Sequence, residues 1–175
     1  DNLIHLRKIK PVIAIFIDHR EPVNRTNNRR MQELGVNEKY MNFIVKELIP
    51  VAEKTYSDPG RQTDRAIIGT SLGGLSSAWL AFKTPDVFPG VGIQSPAFWY
   101  KKEIYTLVEE AGRVPGKIFM STGLIHDTED AVRKMGQILD RKGVAHTVKT
   151  VNQGHSWGNW KDLIDDILIY FFAPK

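Results

Sequence analysis

The stretch that decides the fold runs Arg65-Ala66-Ile67-Ile68-Gly69-Thr70-Ser71-Leu72-Gly73-Gly74-Leu75-Ser76-Ser77-Ala78-Trp79-Leu80. An apolar strand pattern leads into the pentapeptide Gly69-x-Ser71-x-Gly73, and a helical pattern follows it. This order is typical of a nucleophile elbow, in which a serine stands exposed at a helix N-terminus. We expect the two glycines because side chains at those positions would collide in so tight a turn. The sequence therefore predicts Ser71 as a nucleophile, and the alternative is a glycine-rich turn whose serine only caps the helix.

The helix N-terminus after Ser71 also predicts where negative charge can be stabilised. The N–H of Leu72 and the helix dipole both point toward the serine, so Leu72 is the predicted oxyanion donor.

Short apolar runs alternate with helical patterns along the rest of the chain. The predicted strands are residues 12–17, 65–68, 90–94, 117–121 and 145–151. The predicted helices are residues 37–56 with a kink at Pro50, then 72–82, 101–110, 128–141 and 158–172. This alternation predicts an α/β fold with a mostly parallel sheet and helices on both faces. Sites in such sheets lie at the carboxyl ends of the strands.

A serine hydroxyl needs a general base, and on this fold the partners follow in the order serine, acid, histidine. His155 lies in a glycine-rich loop directly after the last predicted strand, so we expect it to be the base. The alternative is a loop histidine that packs against the tryptophans beside it. His146 lies inside a strand, which favours a structural role, and His126 is a candidate for substrate contact.

The acid that orients the base is expected after the penultimate strand. Asp127 is the predicted acid, and Asp130 is the alternative. Both could instead cap the helix that begins there, because aspartate satisfies free N–H groups in a first helical turn.

Composition excludes several classes of protein. The 175 residues are 42% hydrophobic and 25% charged, as in one ordinary globular domain. The chain has no cysteine, which excludes a thiol nucleophile, a cysteine zinc site and a disulfide scaffold. The net charge of +4 is scattered rather than gathered in a basic stripe, so we expect no nucleic-acid partner. No apolar run approaches the roughly 20 residues of a membrane span. We therefore expect a soluble chain, with the cytoplasm and the periplasm or exterior both open.

We also expect neither cofactor nor metal. A metal-dependent hydrolase would have to use Asp18, His19, His126 and His155, which lack the spacing of ligands that share one element.

Six motifs in order resemble one known family. They are 15–18 (Ile-Phe-Ile-Asp), 28–34 (Asn-Arg-Arg-Met-Gln-Glu-Leu), 46–50 (Lys-Glu-Leu-Ile-Pro), 69–74 (Gly-Thr-Ser-Leu-Gly-Gly), 94–99 (Gln-Ser-Pro-Ala-Phe-Trp) and 154–157 (Gly-His-Ser-Trp) followed by Trp160. The set resembles the esterase family of α/β-hydrolases that includes enterochelin esterases and feruloyl or acetyl esterases of plant polysaccharides. The resemblance implies Ser71 as nucleophile, His155 as base and Arg30 near the substrate mouth.

Aromatic residues that follow strand ends are candidates for substrate contact. Trp99, Trp157 and Trp160 could stack on a sugar or a phenolic acyl group. Arg30 could instead pair with Glu33 one turn away.

The residues and the resemblance together predict a serine carboxylester hydrolase that acts through an acyl-enzyme, and the resemblance implies a carbohydrate-linked or phenolic ester as its substrate. The alternatives are a siderophore esterase of the enterochelin type, an acyltransferase with the same residues, and a carbohydrate-binding module that lacks turnover. The oligomeric state is left open.

The resemblance also implies a strand, with a second oxyanion donor in the loop after it, that precedes residues 12–17. Residues 1–10 contain no such strand. We therefore expect residues 1–175 to be the C-terminal portion of a longer catalytic domain.

Overall fold

A four-stranded parallel sheet forms the centre of the molecule. The computed structural model describes residues 2–56 and 64–174. Its strands are β1 (Ala66–Thr70), β2 (Gly90–Gln94), β3 (Lys117–Gly123) and β4 (His146–Val151), paired in that order. The register aligns Thr70 with Gln94, and Gln94 with Ser121, so the carboxyl ends of the first three strands meet at one edge. The predicted α/β class is confirmed.

Helices connect the strands and also precede them. They are α1 (Asn2–His5), α2 (Arg30–Leu34), α3 (Glu38–Phe43), α4 (Ile49–Tyr56), α5 (Leu72–Lys83), α6 (Glu103–Glu110), α7 (Glu129–Arg141), α8 (Trp157–Asp162) and α9 (Ile164–Phe172). Asn37 caps α3, where its side chain accepts hydrogen bonds from the N–H groups of Lys39 and Tyr40. A π-helical stretch, Ile44–Leu48, joins α3 to α4 just before Pro50, which has no N–H to continue the α-helical ladder.

Each face of the sheet packs against its own helices. One face carries Val91, Ile93, Ile118 and Met120 in a core shared with α5, α6 and α7. The other face carries Phe119, which packs against Ile167 and Phe171 of α9. Gly90 and Gly92 leave room there, since a Cβ on Gly90 would lie 3.0 Å from the ring of Phe171. Helices cover both faces, as the continuous apolar strands require.

The prediction of a strand at residues 12–17 is wrong. The structure leaves this apolar segment irregular and largely exposed, and the side chain of Phe16 is 93% exposed. A strand needs a neighbour to satisfy its N–H and C=O groups, and no strand among the described residues pairs with it. β1 is an edge strand of the sheet, because β2 is the one strand that pairs with it within residues 2–56 and 64–174. The upstream strand expected from the resemblance stays a prediction.

The single helix predicted for residues 158–172 is two helices in the structure. The N–H of Leu163 donates to the carbonyl of Trp160 at 3.3 Å, so the chain tightens into a turn between α8 and α9. α9 packs on the sheet, while α8 carries its tryptophans beside the loop that follows β4. No helix in the described ranges is long and apolar enough to cross a membrane.

Candidate active site

Ser71 sits in a strained turn between β1 and α5. Its φ of 56° and ψ of −119° are unfavourable for a residue with a side chain, and strain of this kind is concentrated at functional sites. The N–H of Ser71 donates to the carbonyl of Gln94 at 2.9 Å, and its carbonyl accepts from Ala97 at 3.0 Å. The backbone of the serine is therefore fixed by the end of β2 and the loop after it.

The elbow glycines differ in what they contribute. A Cβ on Gly69 would lie 2.2 Å from the carbonyl oxygen of Gly73, so the expected collision is real at this position. The expectation is wrong for Gly73, because a Cβ there would meet nothing within 4 Å. The next residue, Gly74, has less room than Gly73, because a Cβ on Gly74 would lie 3.1 Å from the carbonyl oxygen of Gln94. Leu72 begins α5, so its N–H precedes the first intrahelical hydrogen bond and stays available beside Ser71.

Three side chains form one hydrogen-bonded line. Nε2 of His155 lies 3.0 Å from Oγ of Ser71, and Nδ1 of His155 lies 2.7 Å from Oδ1 of Asp127. An ionised carboxylate can only accept, so Nδ1 carries the proton and Nε2 is the acceptor for the hydroxyl of Ser71. The arrangement can draw a proton from the serine and hold the resulting imidazolium against a carboxylate.

The carboxylate of Asp127 is completely buried. Its Oδ2 accepts from the hydroxyl of Ser95 at 2.6 Å, from the N–H of Gly123 at 2.6 Å, from Nδ2 of Asn159 at 3.0 Å and from the hydroxyl of Thr122 at 3.3 Å. Burial acts to raise the pKa of Asp127, but the hydrogen bonds from Ser95, Gly123 and His155 outweigh it and hold the pKa below its usual range. Asp127 therefore stays ionised in the fold.

The other polar candidates lie elsewhere. Asp130 is exposed and pairs with Arg133 one turn along α7. His146 is half-buried, with Nδ1 3.0 Å from the carbonyl of Val144, as expected of a structural histidine. His126 is exposed beside Asp127 and has a positive φ of 48°.

The three tryptophans predicted to contact a substrate differ in exposure. The side chains of Trp99 and Trp157 are 68% and 71% exposed, whereas Trp160 is only 9% exposed. Nε1 of Trp160 donates to Oγ of Ser95 at 2.9 Å, and its ring stands edge-on to His155 with 5.0 Å between centroids. Trp160 is thus buried behind the site, and it exposes too little of its ring for the predicted stacking on a substrate.

Arg30 begins α2, which packs against α5. The alternative partner, Glu33, instead contacts His19, with 2.7 Å between Nδ1 and Oε2, and Arg29 at 3.6 Å. A role for Arg30 at the substrate mouth stays a prediction.

Three side chains of the site have no role in the sequence interpretation. Ser95 directly follows β2, Thr122 lies in β3 and Asn159 lies in α8, and all three contact Asp127. The position of Ser95 at the carboxyl end of a buried strand is the signal that could have identified it. The contact made by Asn159 joins α8 to a residue 32 positions earlier in the chain, which the local sequence pattern does not reveal.

The comparisons with known proteins agree with this fold. The family described as "Putative esterase" matches residues 1–171, and the chain belongs to that family. The uncharacterized protein YjcH of Bacillus subtilis is 25% identical over 180 residues, which cover 96% of this chain and 74% of YjcH.

Two solved structures share the fold. The enterobactin esterase of Shigella flexneri superposes with a TM-score of 0.81 at 21% identity, covering 96% of this chain and 46% of the esterase. The feruloyl esterase module from Clostridium thermocellum superposes with a TM-score of 0.71 at 17% identity, covering 98% of this chain and 68% of that one. The chain thus spans about half the length of the enterobactin esterase.

Proposed function

We propose that this chain carries the catalytic residues of a serine carboxylester hydrolase that works through an acyl-enzyme. The observation that carries the proposal is the continuous line from Oγ of Ser71 through His155 to Asp127, with gaps of 3.0 and 2.7 Å. A serine, a base and an orienting acid at hydrogen-bond distance are what nucleophilic catalysis requires. Membership of the esterase family supports the same reaction class.

The proposed reaction has two halves. Oγ of Ser71 attacks the ester carbonyl while Nε2 of His155 takes the hydroxyl proton. The oxyanion that forms accepts a hydrogen bond from the N–H of Leu72 at the N-terminus of α5. The intermediate collapses when His155 returns its proton to the leaving alcohol, and an acyl-serine remains. Water, deprotonated by His155, then attacks the acyl carbon. The bond from that carbon to Oγ of Ser71 breaks, the acid leaves, and His155 returns the proton to Oγ.

Asp127 supports both halves. Its Oδ1 holds Nδ1–H of His155, so that Nε2 faces the serine with a lone pair. The buried negative charge also stabilises the imidazolium that each half-reaction forms.

The proposed substrate is an ester of a phenolic acid or a saccharide. A cleft of about 350 Å³ lies beside Asp127 and is lined by Trp99, Leu124 and His126 among others. Trp157 also exposes its ring and is in edge contact with Trp160, which itself stands edge-on to His155. Exposed indole rings stack on sugar and phenol faces. The two structural neighbours support an aromatic substrate by their names, since one is an enterobactin esterase described with a dihydroxybenzoyl compound and the other a feruloyl esterase module complexed with sinapinate.

The test is a panel of acetyl, feruloyl, glucuronoyl and catechol-siderophore esters, together with a serine-directed phosphonate followed by intact mass. We expect hydrolysis of at least one ester and one phosphonate adduct, both lost in Ser71→Ala. Retention of more than about a thousandth of the rate would argue against Ser71, since removing such a nucleophile costs a factor of roughly 10⁶. Product that forms only with an added sugar acceptor would indicate acyl transfer. Saccharide binding with neither turnover nor adduct would favour a binding module.

A further inference from the structure

Ser95 has an unusual backbone for a buried residue with a side chain. It directly follows β2, its φ is +42°, and it is completely buried. Its N–H donates to the carbonyl of Ser121 at 2.8 Å, which fixes it to the end of β3. Glycine adopts this left-handed conformation far more easily than serine does. Serine is thus the less favourable residue for this backbone conformation, which indicates that its hydroxyl has a specific role.

The direction of the hydrogen bonds at this hydroxyl is fixed by chemistry. Nε1–H of Trp160 can only donate, so Oγ of Ser95 accepts there at 2.9 Å. The carboxylate of Asp127 is ionised and can only accept, so the proton of Ser95 points to its Oδ2 at 2.6 Å. A chain of donors thus runs from the indole through the hydroxyl to the carboxylate.

The two oxygens of Asp127 have different partners. Oδ2 accepts from Ser95, Thr122, Gly123 and Asn159, whereas Oδ1 faces His155. The amide of Asn159 is oriented by its surroundings, because its nitrogen lies within 3.2 Å of both Oδ2 of Asp127 and the carbonyl of Gly154. Four donors on one oxygen, of which Ser95 and Gly123 are the shortest at 2.6 Å, leave the carboxylate a single orientation.

We propose that Ser95 and Trp160 are positioning residues that lock the carboxylate of Asp127 so that its other oxygen holds the base. The inference rests on the proposed function, and it assigns Trp160 to the back of the site rather than to the substrate. Trp160 acts twice, since its N–H orients the hydroxyl of Ser95 and its ring supports the imidazole of His155 edge-on. Neither residue contacts the hydroxyl of Ser71 in the described structure.

The test compares Ser95→Ala with Ser95→Gly. Both remove the hydroxyl, but glycine relieves the positive φ. We expect kcat, or the rate of phosphonate capture at Ser71, to fall about 10- to 100-fold in both, as for a lost hydrogen bond to a charged group. KM should change less than about threefold, because the interaction is remote from the substrate. Trp160→Phe keeps a ring and loses the N–H, and should lie between these variants and the unaltered protein.

A structural role alone would give different results. Ser76→Ala, which removes another buried hydroxyl, should leave the rate unchanged. The downfield proton resonance of Nδ1–H of His155 should shift in both Ser95 variants and stay in place in Ser76→Ala. Full activity in Ser95→Gly, or in both Ser95 variants, would overturn the inference. If Ser95→Ala fails to fold by thermal unfolding, Ser95→Gly and Trp160→Phe decide the question with the same readouts.

Failure of this inference is distinguishable from failure of the proposed function. Ser71→Ala without activity beside a fully active Ser95→Gly overturns only the positioning role. An active Ser71→Ala overturns the proposed function and the positioning role together.

Discussion

Gly69 and Gly73 approach each other so closely across the elbow that a Cβ on Gly69 would lie 2.2 Å from the carbonyl oxygen of Gly73. A Cβ on Gly73, in contrast, would meet no atom within 4 Å. We expect Gly69→Ala to lower the free energy of unfolding by about 3 kcal/mol or more, at the upper end of overpacking, because backbone must move. Gly73→Ala should stay within about 1 kcal/mol of the unaltered chain, since alanine favours a helix. Urea unfolding followed by circular dichroism measures both, and equal stabilities would contradict the steric argument.

Asp127 and Asp130 separate the proposed acid from its neighbour. Asp127→Asn should lower kcat by roughly 10⁴, because the amide favours the wrong tautomer of the base. Asp130→Asn removes the same charge from an exposed carboxylate whose ion-pair partner, among residues 2–56 and 64–174, is Arg133. Activity should therefore stay within about twofold, because an exposed ion pair contributes little free energy. Steady-state kinetics on the ester found in the panel checks both. A larger loss in Asp130→Asn would transfer the role of acid to Asp130.

The exposed tryptophans should act on binding rather than on chemistry. Trp99→Ala and Trp157→Ala should each raise KM for an aromatic or saccharide ester about 2- to 10-fold with kcat little changed, as expected for loss of one stacking contact. A small aliphatic acetyl ester provides the control, since it has no ring to stack. Equal changes in KM for both esters would show that the rings do not contact the aromatic or sugar group.

Acid should weaken the fold through Asp127. Its pKa is below the usual range in the folded protein, and a free aspartate in an unfolded chain titrates near 3.9. Below that pH the unfolded chain binds the proton first, so the stabilisation by ionised Asp127 is complete above about pH 5 and is lost as pH falls through the lowered pKa. The difference in unfolding free energy between the unaltered protein and Asp127→Asn should therefore shrink below about pH 4. Urea unfolding from pH 7 to pH 3 measures it, and a difference that grows in acid would contradict this.

The sequence predicts well the elements whose pattern is local. β1 to β4 lie within two residues of the predicted runs, because short runs rich in β-branched residues followed by turn residues encode strands, although only β2 and β3 are largely buried. The sequence predicts catalytic residues after β1, β3 and β4, namely Ser71, Asp127 and His155. The structure brings their side chains together. The order of the sheet explains this success, because it gathers the strand ends at one edge.

What the sequence misses depends on contacts between distant segments. Residues 12–17 have the composition of a strand, yet a strand forms only where a neighbour pairs with it. The contacts of Ser95 join a strand end to α8, 65 residues away from Trp160. The burial of Trp160 could not be predicted from its position in a loop-rich, aromatic stretch. Tryptophans at the rim of a site and tryptophans behind it occur in the same local sequence pattern.

The segment at residues 12–17 has a consequence for handling the protein. A mostly exposed run that contains Ile13, Ile15 and Phe16 lies in a chain whose β1 edge is unpaired among the described residues. Exposed apolar segments of high β-propensity and open strand edges are the usual starting points of aggregation. We expect a preparation of these 175 residues to self-associate as concentration rises. Phe16→Lys should reduce light scattering without changing the free energy of unfolding, because a charge at an exposed site opposes stacking of strands.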